Sequence, residues 1–373
     1  MSIQPLRVGV LGAGTVGREV VRAFLEDSPR LRPFDGAPLA LTGVAVRDVE
    51  KAKAAGIPEE LLTDAPAHLV ADPRVDVLVE VMGGAEPART LVRAALANGR
   101  GVVTANKHLL AHHGPELEKA ARDMGVPLRF EAAVGGGIPV LGPLALDLAA
   151  NRVSRVRGIV NGTTNFILTA MAREGRDYAE VLADAQARGY AEADPTADVE
   201  GLDAVNKLVI LARLAFGAWI DPHAVACRPG TARGRDGAPG ITGVTAEDVA
   251  ALAAEGRTLR LIATARLAED GAIEASVVPT AVPAGSPFGR CDGVLNRVEV
   301  DALPVGKVAF EGPGAGGSAT ASAVLGDLVA IARGLGSTWA GLAAATEPSR
   351  LVVRPVASEC VAAPSGACYP TAD

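Results

Sequence analysis

A glycine-rich turn near the start of the chain constrains the fold more than any other feature. The apolar run Val8–Leu11 leads directly into Gly12-Ala13-Gly14-Thr15-Val16-Gly17, and apolar residues then recur at helical spacing through Leu25. Gly12 permits a tight turn, Gly14 lets the backbone approach a pyrophosphate, and Gly17 lets a helix pack closely on a strand. The helix N-terminus adds free N–H groups and a positive dipole. The pattern predicts a strand, a dinucleotide-binding turn and a helix.

The rest of the first 134 residues continues in an alternating pattern. Short β-branched runs alternate with amphipathic stretches, which is typical of βαβ units and a parallel sheet. The predicted strands are Arg7–Leu11, Leu41–Val46, Asp76–Val81, Gly101–Thr104 and Leu128–Glu131. The predicted helices are Val16–Leu25, Pro87–Ala97 and Pro115–Met124. We therefore expect a doubly wound α/β domain of the Rossmann type over residues 1–134.

The residues that follow the second predicted strand bear on which dinucleotide binds. An acid at this position binds the ribose 2′-hydroxyl of NAD, whereas a nearby Arg accepts the 2′-phosphate of NADP. Here Arg47 comes first and Asp48 follows. This order favours NADPH, with NADH as the alternative cofactor and a solvated surface charge as the alternative role of Arg47.

A change of rhythm after Gly135-Gly136-Gly137 indicates a second domain of the α+β class. Leu259–Leu267 and Ile273–Val282 are separated only by Ala-Glu-Asp-Gly-Ala, and so short a turn requires antiparallel pairing. Thr245 and Asp248 form a capping box that starts a helix. The other predicted elements are strand Val153–Val160, helices Thr164–Arg173, Tyr178–Arg188 and Gly201–Gly217, strand Lys307–Glu311 and helix Ala321–Leu335. We expect a mostly antiparallel sheet over 135–305, a return to the first domain over 306–336, and a tail rich in Ala and Pro over 337–373.

Charge and composition argue against several kinds of partner. The formal net charge is −7 and aromatic residues make up 3% of the chain. Neither nucleic acid nor an anionic membrane is an expected partner, because both need clustered Lys and Arg. The longest uncharged stretch, 132–146, is shorter than the ~20 apolar residues of a membrane-spanning helix. The first strand begins at about Leu6, which leaves no room for a signal peptide, so we expect a cytoplasmic protein.

The cysteines and histidines show no metal-binding pattern. Cys227, Cys291, Cys360 and Cys368 contain no CxxC pair. Neither a zinc site nor a disulfide framework is predicted, and all four are expected to be reduced thiols. His112 and His113 are adjacent, so on a helix they point in different directions and do not share a metal ion.

Carboxylates are concentrated just before an unusually apolar helix. Asp203 and Lys207 are four residues apart and therefore share one helical face. One interpretation is an exposed ion pair worth a few tenths of a kcal/mol. A partly buried cleft is favoured instead by the neighbours Leu202, Val205, Leu208, Val209, Ile210 and Leu211. In a cleft the lysine can donate or accept a proton, and Glu192, Asp198 and Asp203 suit the ammonium group of an amino-acid substrate.

The segment from Ala185 to Lys207 resembles the signature of homoserine dehydrogenase. It matches A-x3-G-[aromatic or aliphatic]-[small]-x2-D-P-x2-D-[aliphatic]-x-G-x-D-x3-K without a mismatch. Other stretches similar to this family are Thr104-Ala105-Asn106-Lys107, Glu131-Ala132-Ala133-Val134-Gly135-Gly136-Gly137-Ile138-Pro139, Asn161-Gly162-Thr163-Thr164-Asn165 and the loop Gly312-Pro313-Gly314-Ala315-Gly316-Gly317. The resemblance covers about residues 5–335.

This resemblance implies the reversible reduction of aspartate semialdehyde to homoserine with a nicotinamide cofactor. It implies that Lys207 is the general acid that protonates the carbonyl oxygen, and that Glu192 and Asp203 hold the substrate. Lys107 is implied to lie by the nicotinamide and the substrate, where a cation can stabilise a developing alkoxide. Further cofactor contacts are implied for Gly83, Thr104, Gly189 and Gly312.

The resemblance also implies a bound monovalent cation and a dimer. The cation, commonly sodium, is implied to bind Glu131 and the backbone oxygens of Val134, Gly136 and Ile138. Oxygen ligands of this kind suit a hard cation, whereas the residues alone predict only a tight turn. The second domain is implied to bind the substrate and to form a homodimer through its sheet.

Two family features are not expected here, and two other functions stay open. Only a short tail follows Leu335 and no kinase-sized extension precedes Leu6, so neither an ACT domain for feedback nor an aspartate kinase is expected. A phosphorylating semialdehyde dehydrogenase is one alternative, but it needs an activated Cys nucleophile. A regulatory module that senses NAD(P) without turnover is the other. Such a module has no use for Lys107, Asp203 and Lys207 together.

Overall fold

The computed structural model describes residues 4–26, 31, 36–231, 237–339, 341–346 and 351–372, and the chain divides into two compact units. The first unit comprises Met1–Asp147 and Ala315–Ala344. The second comprises Leu148–Gly314 and Ala345–Asp373. The boundaries expected from the sequence, after residues 134, 305 and 336, lie somewhat earlier in the chain.

Strands in the described part of the first unit form one parallel sheet. They are β1 (Leu6–Leu11), β2 (Leu39–Ala45), β3 (Leu62–Thr63), β4 (Val77–Glu80), β5 (Gly101–Thr104) and β6 (Leu128–Arg129). Their order is β3-β2-β1-β4-β5-β6, and neighbours pair in parallel. The strand order reverses between β1 and β4, which is where open α/β sheets bind ligands. The predicted Rossmann-type fold is confirmed.

Helices cover this sheet and bury their apolar faces. They are α1 (Thr15–Leu25), α2 (Val49–Ala54), α3 (Pro66–Ala71), α4 (Ala88–Ala97), α5 (Lys107–Met124), α6 (Leu141–Ala145) and α12 (Gly317–Ala332). Val20 and Val21 of α1 share a buried core with Val324 and Leu328 of α12. The late helix therefore completes the core of the first unit.

Helix α5 begins at Lys107, before its predicted start at Pro115. Asn106 caps the helix, because its side chain accepts a hydrogen bond from Leu109 N at 3.0 Å. Leu109 and Leu110 are fully buried. Burial of this first segment outweighs the one helical hydrogen bond that Pro115 removes.

The second unit is built on a mostly antiparallel sheet. Besides the short β8 (Gly230–Thr231), its described strands include β7 (Arg152–Ile159), β9 (Arg257–Leu267), β10 (Ile273–Pro283), β11 (Leu295–Leu303), β12 (Gly306–Pro313) and β13 (Val353–Arg354). The sheet has the order β12-β11-β7-β9-β10-β13. β9 and β10 pair antiparallel along their whole length, as predicted, and β13 adds a parallel edge.

Strand β11 is missing from the predicted elements. Val298, Val300 and Ala302 alternate with charged residues, and all three are buried. Glu299, between them, is also buried and accepts a hydrogen bond from Arg157 of β7 at 3.0 Å. The charges therefore find partners across the sheet, which the sequence pattern does not show.

The helices of the second unit follow the predicted positions, except that the short α9 was not predicted. They are α7 (Gly162–Glu174), α8 (Tyr178–Ala187), α9 (Thr196–Val199), α10 (Leu202–Phe216) and α11 (Ala246–Ala254). Thr245 caps α11 by accepting from Asp248 N at 3.1 Å, as the capping box predicts. None of the helices in the described ranges is both long and apolar enough to cross a membrane.

The prediction of a tail over 337–373 is wrong for residues 351–372. β13 pairs with β10, and β14 (Cys360–Ala362) and β15 (Ala367–Pro370) form a hairpin that joins β8. Tyr369 is buried, and its hydroxyl donates to Asp248 Oδ2 at 2.7 Å. Composition rich in Ala and Pro did not reveal these strands, because the strands that β13 and β15 join, β10 and β8, are distant in sequence.

The expectation of four reduced thiols is wrong for two of them. Cys360 and Cys368 form a disulfide, and their Cα atoms lie 5.5 Å apart, within the range that a disulfide requires. They occupy neighbouring strands of the hairpin, which turns at Gly366 with φ +85°. The hairpin brings the two cysteines together, and their spacing alone gives no sign of it.

Candidate active site

The glycine turn between β1 and α1 has the geometry of a dinucleotide-binding turn. Gly12 has φ +102°, and a Cβ there would lie 3.0 Å from the carbonyl oxygen of Val81. A Cβ at Gly17 would overlap the carbonyl oxygen of Gly12. A Cβ at Gly14 would meet nothing within 4 Å, and no side chain caps the helix at this residue. The turn therefore leaves open the side that a pyrophosphate would approach.

The two residues weighed for cofactor preference have different environments. Asp48 caps α2, because its carboxylate accepts a hydrogen bond from Lys51 N at 2.9 Å. Arg47 precedes it and is exposed. The acid is thus occupied by the helix cap, whereas the guanidinium lies at the surface beyond the end of β2.

A buried acid, Glu80, lies at the carboxyl end of β4 and was not among the predicted site residues. Its carboxylate accepts a hydrogen bond from the Thr104 hydroxyl at 2.6 Å and from the N–H of Gly83 at 3.3 Å. Burial raises the pKa of this carboxyl. Thr104 and Gly83 are therefore joined at one sheet edge, and Lys107 starts the helix that follows. An acid at the end of the apolar run 77–81 is the signal that could have identified it.

Glu131, a predicted cation ligand, accepts three backbone hydrogen bonds. Oε1 accepts from Val140 N at 2.7 Å and Leu141 N at 2.8 Å, and Oε2 accepts from Gly142 N at 2.7 Å. Burial, followed by the nearby Asp327 carboxylate, raises the pKa of Glu131.

The predicted carbonyl ligands of that cation lie in the turn just after Glu131. Gly136 has φ +60°, and Ile138 N donates to Gly135 O at 2.9 Å. Val134 N donates to Glu131 O at 3.4 Å. The tight turn expected from the residues alone is therefore present, and it contains all three predicted carbonyl ligands.

Lys207 and Asp203 form a buried pair in the second unit. The Lys207 ammonium donates to Asp203 Oδ2 at 2.7 Å and to the Val160 carbonyl at 2.6 Å. Their side chains are 10% and 6% exposed. The interpretation as a surface ion pair is therefore wrong, and the buried position inferred from the apolar neighbours is confirmed.

Asn161 links this pair to a further acid. Its Nδ2 donates to Asp203 Oδ2 at 2.9 Å and to Asp198 Oδ1 at 2.7 Å. Its Oδ1 caps α7 by accepting from Thr164 N at 2.8 Å. Because the cap holds the amide in place, Nδ2 holds the two carboxylates on one side. The polar residues that follow strand β7 indicate the cap, but not this second role.

The acids around Lys207 differ in environment. Burial, followed by the charge of Asp203, raises the pKa of Asp198. Glu192 is exposed, and its backbone carbonyl accepts a hydrogen bond from Gln186. The hydrogen bonds of the Asn161 cluster thus unite Asp198, Asp203 and Lys207 but do not include the Glu192 side chain. Gly189, with φ +74°, lies beyond the end of α8.

The cysteines do not provide an activated nucleophile. Burial raises the pKa of Cys291 to about 11 and also raises that of Cys227. Cys360 and Cys368 are joined in the disulfide. A thiolate is the reactive form of cysteine, so the alternative of a phosphorylating semialdehyde dehydrogenase is not favoured.

A dinucleotide-binding turn at a sheet switch point and a buried lysine held by a carboxylate are typical of a nicotinamide-dependent oxidoreductase. Comparison with known families agrees. The family model described as the NAD binding domain of homoserine dehydrogenase matches residues 12–131. The model described as homoserine dehydrogenase matches residues 139–329.

Individual relatives carry the same name. The homoserine dehydrogenase of Mycobacterium tuberculosis is 48% identical over 334 residues, which cover 88% of this chain and 73% of that protein. A crystal structure of a homoserine dehydrogenase from Thiobacillus denitrificans has a TM-score of 0.85 at 39% identity, covering 95% of this chain and 80% of that one. A hyperthermophilic archaeal homoserine dehydrogenase in complex with NADPH has a TM-score of 0.71 at 28% identity, covering 88% and 97%. The chain belongs to the homoserine dehydrogenase family and is an NAD(P)-dependent oxidoreductase that acts on a CH–OH group.

The glycine turn yields a prediction that separates folding from binding. Gly17→Ala is expected to lower the melting temperature, because overlap with the Gly12 carbonyl costs about 1–3 kcal/mol. Gly14→Ala is expected to melt like the wild type but to bind NADPH more weakly, because its Cβ faces the open side. Thermal melts and fluorescence titration with NADPH measure the two effects. Wild-type NADPH affinity in Gly14→Ala would show that the pyrophosphate does not approach this turn.

Proposed function

We propose that this chain catalyses the reversible, NAD(P)H-dependent reduction of L-aspartate 4-semialdehyde to L-homoserine. The observation that supports it most is the buried Lys207 ammonium, held by Asp203 and the Val160 carbonyl. Burial of a lysine and an acid costs desolvation free energy. A protein that only senses NAD(P), without turnover, would gain nothing that offsets this cost. The family membership supports the same reaction.

In this proposal Lys207 is the general acid. The nicotinamide, when bound, supplies the hydride that converts the aldehyde carbon to an alkoxide carbon. Lys207 protonates the alkoxide oxygen in reduction and accepts the hydroxyl proton in oxidation. Asp203 orients the lysine through its hydrogen bond to the ammonium group. Lys107 adds a second cation that stabilises the developing negative charge on oxygen.

The acids of the second unit hold the amino-acid part of the substrate. Asp198 and Asp203 share the Asn161 amide and leave one negative charge in excess of Lys207. That excess suits the substrate ammonium group. We assign Glu192 to the same task, and its exposed position allows its side chain to turn toward a ligand.

NADPH is the proposed cofactor, with NADH as the alternative. Arg47 binds the 2′-phosphate, while Asp48 is engaged in the helix cap. The archaeal relative with 28% identity has a solved structure in complex with NADPH. The proposed cofactor-binding residues are Gly12, Ala13, Gly14, Thr15, Val16, Gly17, Arg47, Gly83, Thr104, Lys107, Gly189 and Gly312.

A monovalent cation, Na+, is proposed to bind at Glu131. The chemistry fits, because Oε2 accepts one hydrogen bond and retains a lone pair. Glu131 and Asp327 are two acids served by one cation, Arg129, whose Nε donates to Asp327 at 2.7 Å. The carbonyls of Val134, Gly136 and Ile138 would complete the oxygen ligands. The ion would order this turn and takes no part in the proton transfer.

A homodimer formed through the sheet of the second unit is also proposed. At one edge of that sheet β13 pairs with Ile273 and Glu274 of β10, and at the other edge the residues of β12 are largely exposed. A dimer could satisfy the open edge. Sedimentation analysis checks this, and a monomer at micromolar concentration would contradict it.

We further propose that the protein is cytoplasmic and acts in threonine and methionine biosynthesis. Complementation of an auxotroph would test the role in biosynthesis.

Replacement of the proposed acid gives the sharpest test of the activity. Lys207→Ala is expected to lower kcat by about 10²–10⁴-fold with little change in NADPH affinity. Lys119→Ala is the matched control, because it removes another i,i+4 pair, with Asp123, whose lysine is 75% exposed. The assay follows NADPH absorbance with aspartate semialdehyde. Full activity of Lys207→Ala would refute the assignment of Lys207 as the acid. If the wild-type protein binds NADPH but does not reduce aspartate semialdehyde, the result supports the sensor instead.

Cofactor preference depends on Arg47 in this proposal. Arg47→Ser is expected to raise the KM for NADPH about tenfold, because a charged hydrogen bond worth about 1.5 kcal/mol is lost. The KM for NADH should stay near its wild-type value. Arg22→Ser, an exposed arginine of α1, serves as the control. Equal changes for both cofactors would contradict a contact with the 2′-phosphate.

Sodium is expected to stabilise the wild type. A ligand at 100 times its Kd adds about 2.7 kcal/mol to the free energy of unfolding, so the melting temperature should rise when Na+ replaces tetramethylammonium. Glu131→Gln is expected to abolish this response, because it removes the charge at the site. A Na+-dependent rise that persists in Glu131→Gln would place the ion elsewhere.

A further inference from the structure

Glu80 is a buried carboxylate with an unusual set of partners. Its side chain is fully buried at the end of β4. Oε1 accepts from Met82 N at 2.8 Å, Gly83 N at 3.3 Å and Asn106 Nδ2 at 3.4 Å, and Oε2 accepts from the Thr104 hydroxyl at 2.6 Å. All four donors are neutral. Burial of a charged group among neutral donors costs free energy that a neutral side chain would avoid.

The partners of Glu80 belong to two turns at the same sheet edge. The turn after β4 contains Met82, Gly83 and Gly84, and Gly83 and Gly84 have φ of +74° and +72°. Thr104 is the last residue of β5, and the turn after it contains Asn106. β4 is one of the two strands at the point where the strand order reverses. Glu80 therefore joins two turns at the edge where such sheets bind ligands.

Asn106 carries the connection on to Lys107. Its Nδ2 also donates to Gly84 O at 2.7 Å, and its backbone N–H donates to Thr104 Oγ1 at 3.0 Å. Its Oδ1 caps α5, whose first residue is Lys107. The start of α5 is thus fixed to Glu80 through the Thr104 and Asn106 side chains, so the backbone of Lys107 depends on the same network.

We propose that Glu80 is a positioning residue for the reaction, which holds Lys107 and the Gly83–Gly84 turn in the geometry that hydride transfer needs. This inference rests on the proposed role of Lys107. Glu80 touches no reacting atom, and it acts through the network. A carboxylate suits this position because it accepts from all four donors at once.

Three substitutions at this position separate shape, charge and reach. Glu80→Ala removes the network and is expected to lower kcat about 10²-fold, the size of effect that a displacement of about 1 Å of a catalytic group produces. NADPH binding should weaken about tenfold, because the Gly83 turn loses its anchor. Glu80→Gln keeps the shape of the side chain. It reverses only the direction of the hydrogen bond with Thr104, because the amide nitrogen donates where the carboxylate accepted, so its kcat should stay within about fivefold of wild type. Glu80→Asp keeps the charge but not the reach, and it should behave like Glu80→Ala.

A double-mutant cycle with Lys107→Ala tests whether Glu80 acts through Lys107. If it does, Glu80→Ala should lower kcat less than about threefold in the Lys107→Ala background. Glu118→Ala is the control for loss of a buried acid, because Glu118 lies on α5 and pairs with Arg122. It should lower the melting temperature and leave kcat unchanged. If Glu80→Ala does not fold, Glu80→Asp replaces it in the cycle.

The outcomes distinguish this inference from the proposed function. If the wild type turns over aspartate semialdehyde and Lys107→Ala is impaired, the proposed function is supported. Additive effects of the two substitutions, or wild-type kcat in Glu80→Asp and Glu80→Ala, would then overturn the inference alone. If Glu80→Gln is as slow as Glu80→Ala, the inference that Glu80 positions Lys107 through the shape of its side chain is overturned. An unimpaired Lys107→Ala variant overturns both the role of Lys107 and the inference that depends on it.

Discussion

Parallel pairing in the first unit is the constraint on which its candidate cofactor site depends. The carboxyl ends of parallel strands lie at one edge of a sheet, so the turns after β1, β4 and β5 lie next to one another. The glycine turn, Glu80 and Thr104 occupy these three ends. The close contact of Gly17 with the Gly12 carbonyl fixes α1 against β1, and the Glu80 network fixes α5 at its first residue. Backbone packing at the glycine turn and the Glu80 side chain together define this edge.

Each unit contains a cluster in which two acidic side chains lie with one cationic side chain. Asp198 and Asp203 surround Lys207 in one, and Glu131 and Asp327 lie with Arg129 in the other. Each cluster has two acids for one cation. Burial, and then the neighbouring acid, raises the pKa of Asp198 and of Glu131. A bound cation would lower these pKa values, so each cluster suits the ligand proposed for it: the substrate ammonium in the second unit and Na+ in the first.

Local pattern was sufficient for most of the fold. Alternating runs predicted the parallel sheet, and the short turn between β9 and β10 predicted their antiparallel pairing. The errors occur where tertiary packing overrides a local rule. Pro115 indicates a helix start, yet buried Leu109 and Leu110 extend α5 back to Lys107. The charges of β11 and the composition of 351–372 conceal strands whose partners are distant in sequence.

In the site, too, the local contacts could be predicted from the sequence and the distant contacts could not. Asp203 and Lys207 are one helical turn apart, so their pairing follows from spacing, and the apolar neighbours indicate its burial. Asn161 lies 37 and 42 residues before the acids that it joins, and Glu80 lies 24 residues before Thr104. Contacts over such separations depend on strand order and on the packing of helices against strands, which local spacing in the sequence does not give. A polar residue that ends a buried strand can be noticed in a sequence. The partner that keeps it there is set by the neighbouring strand, and so its role follows only from the folded sheet.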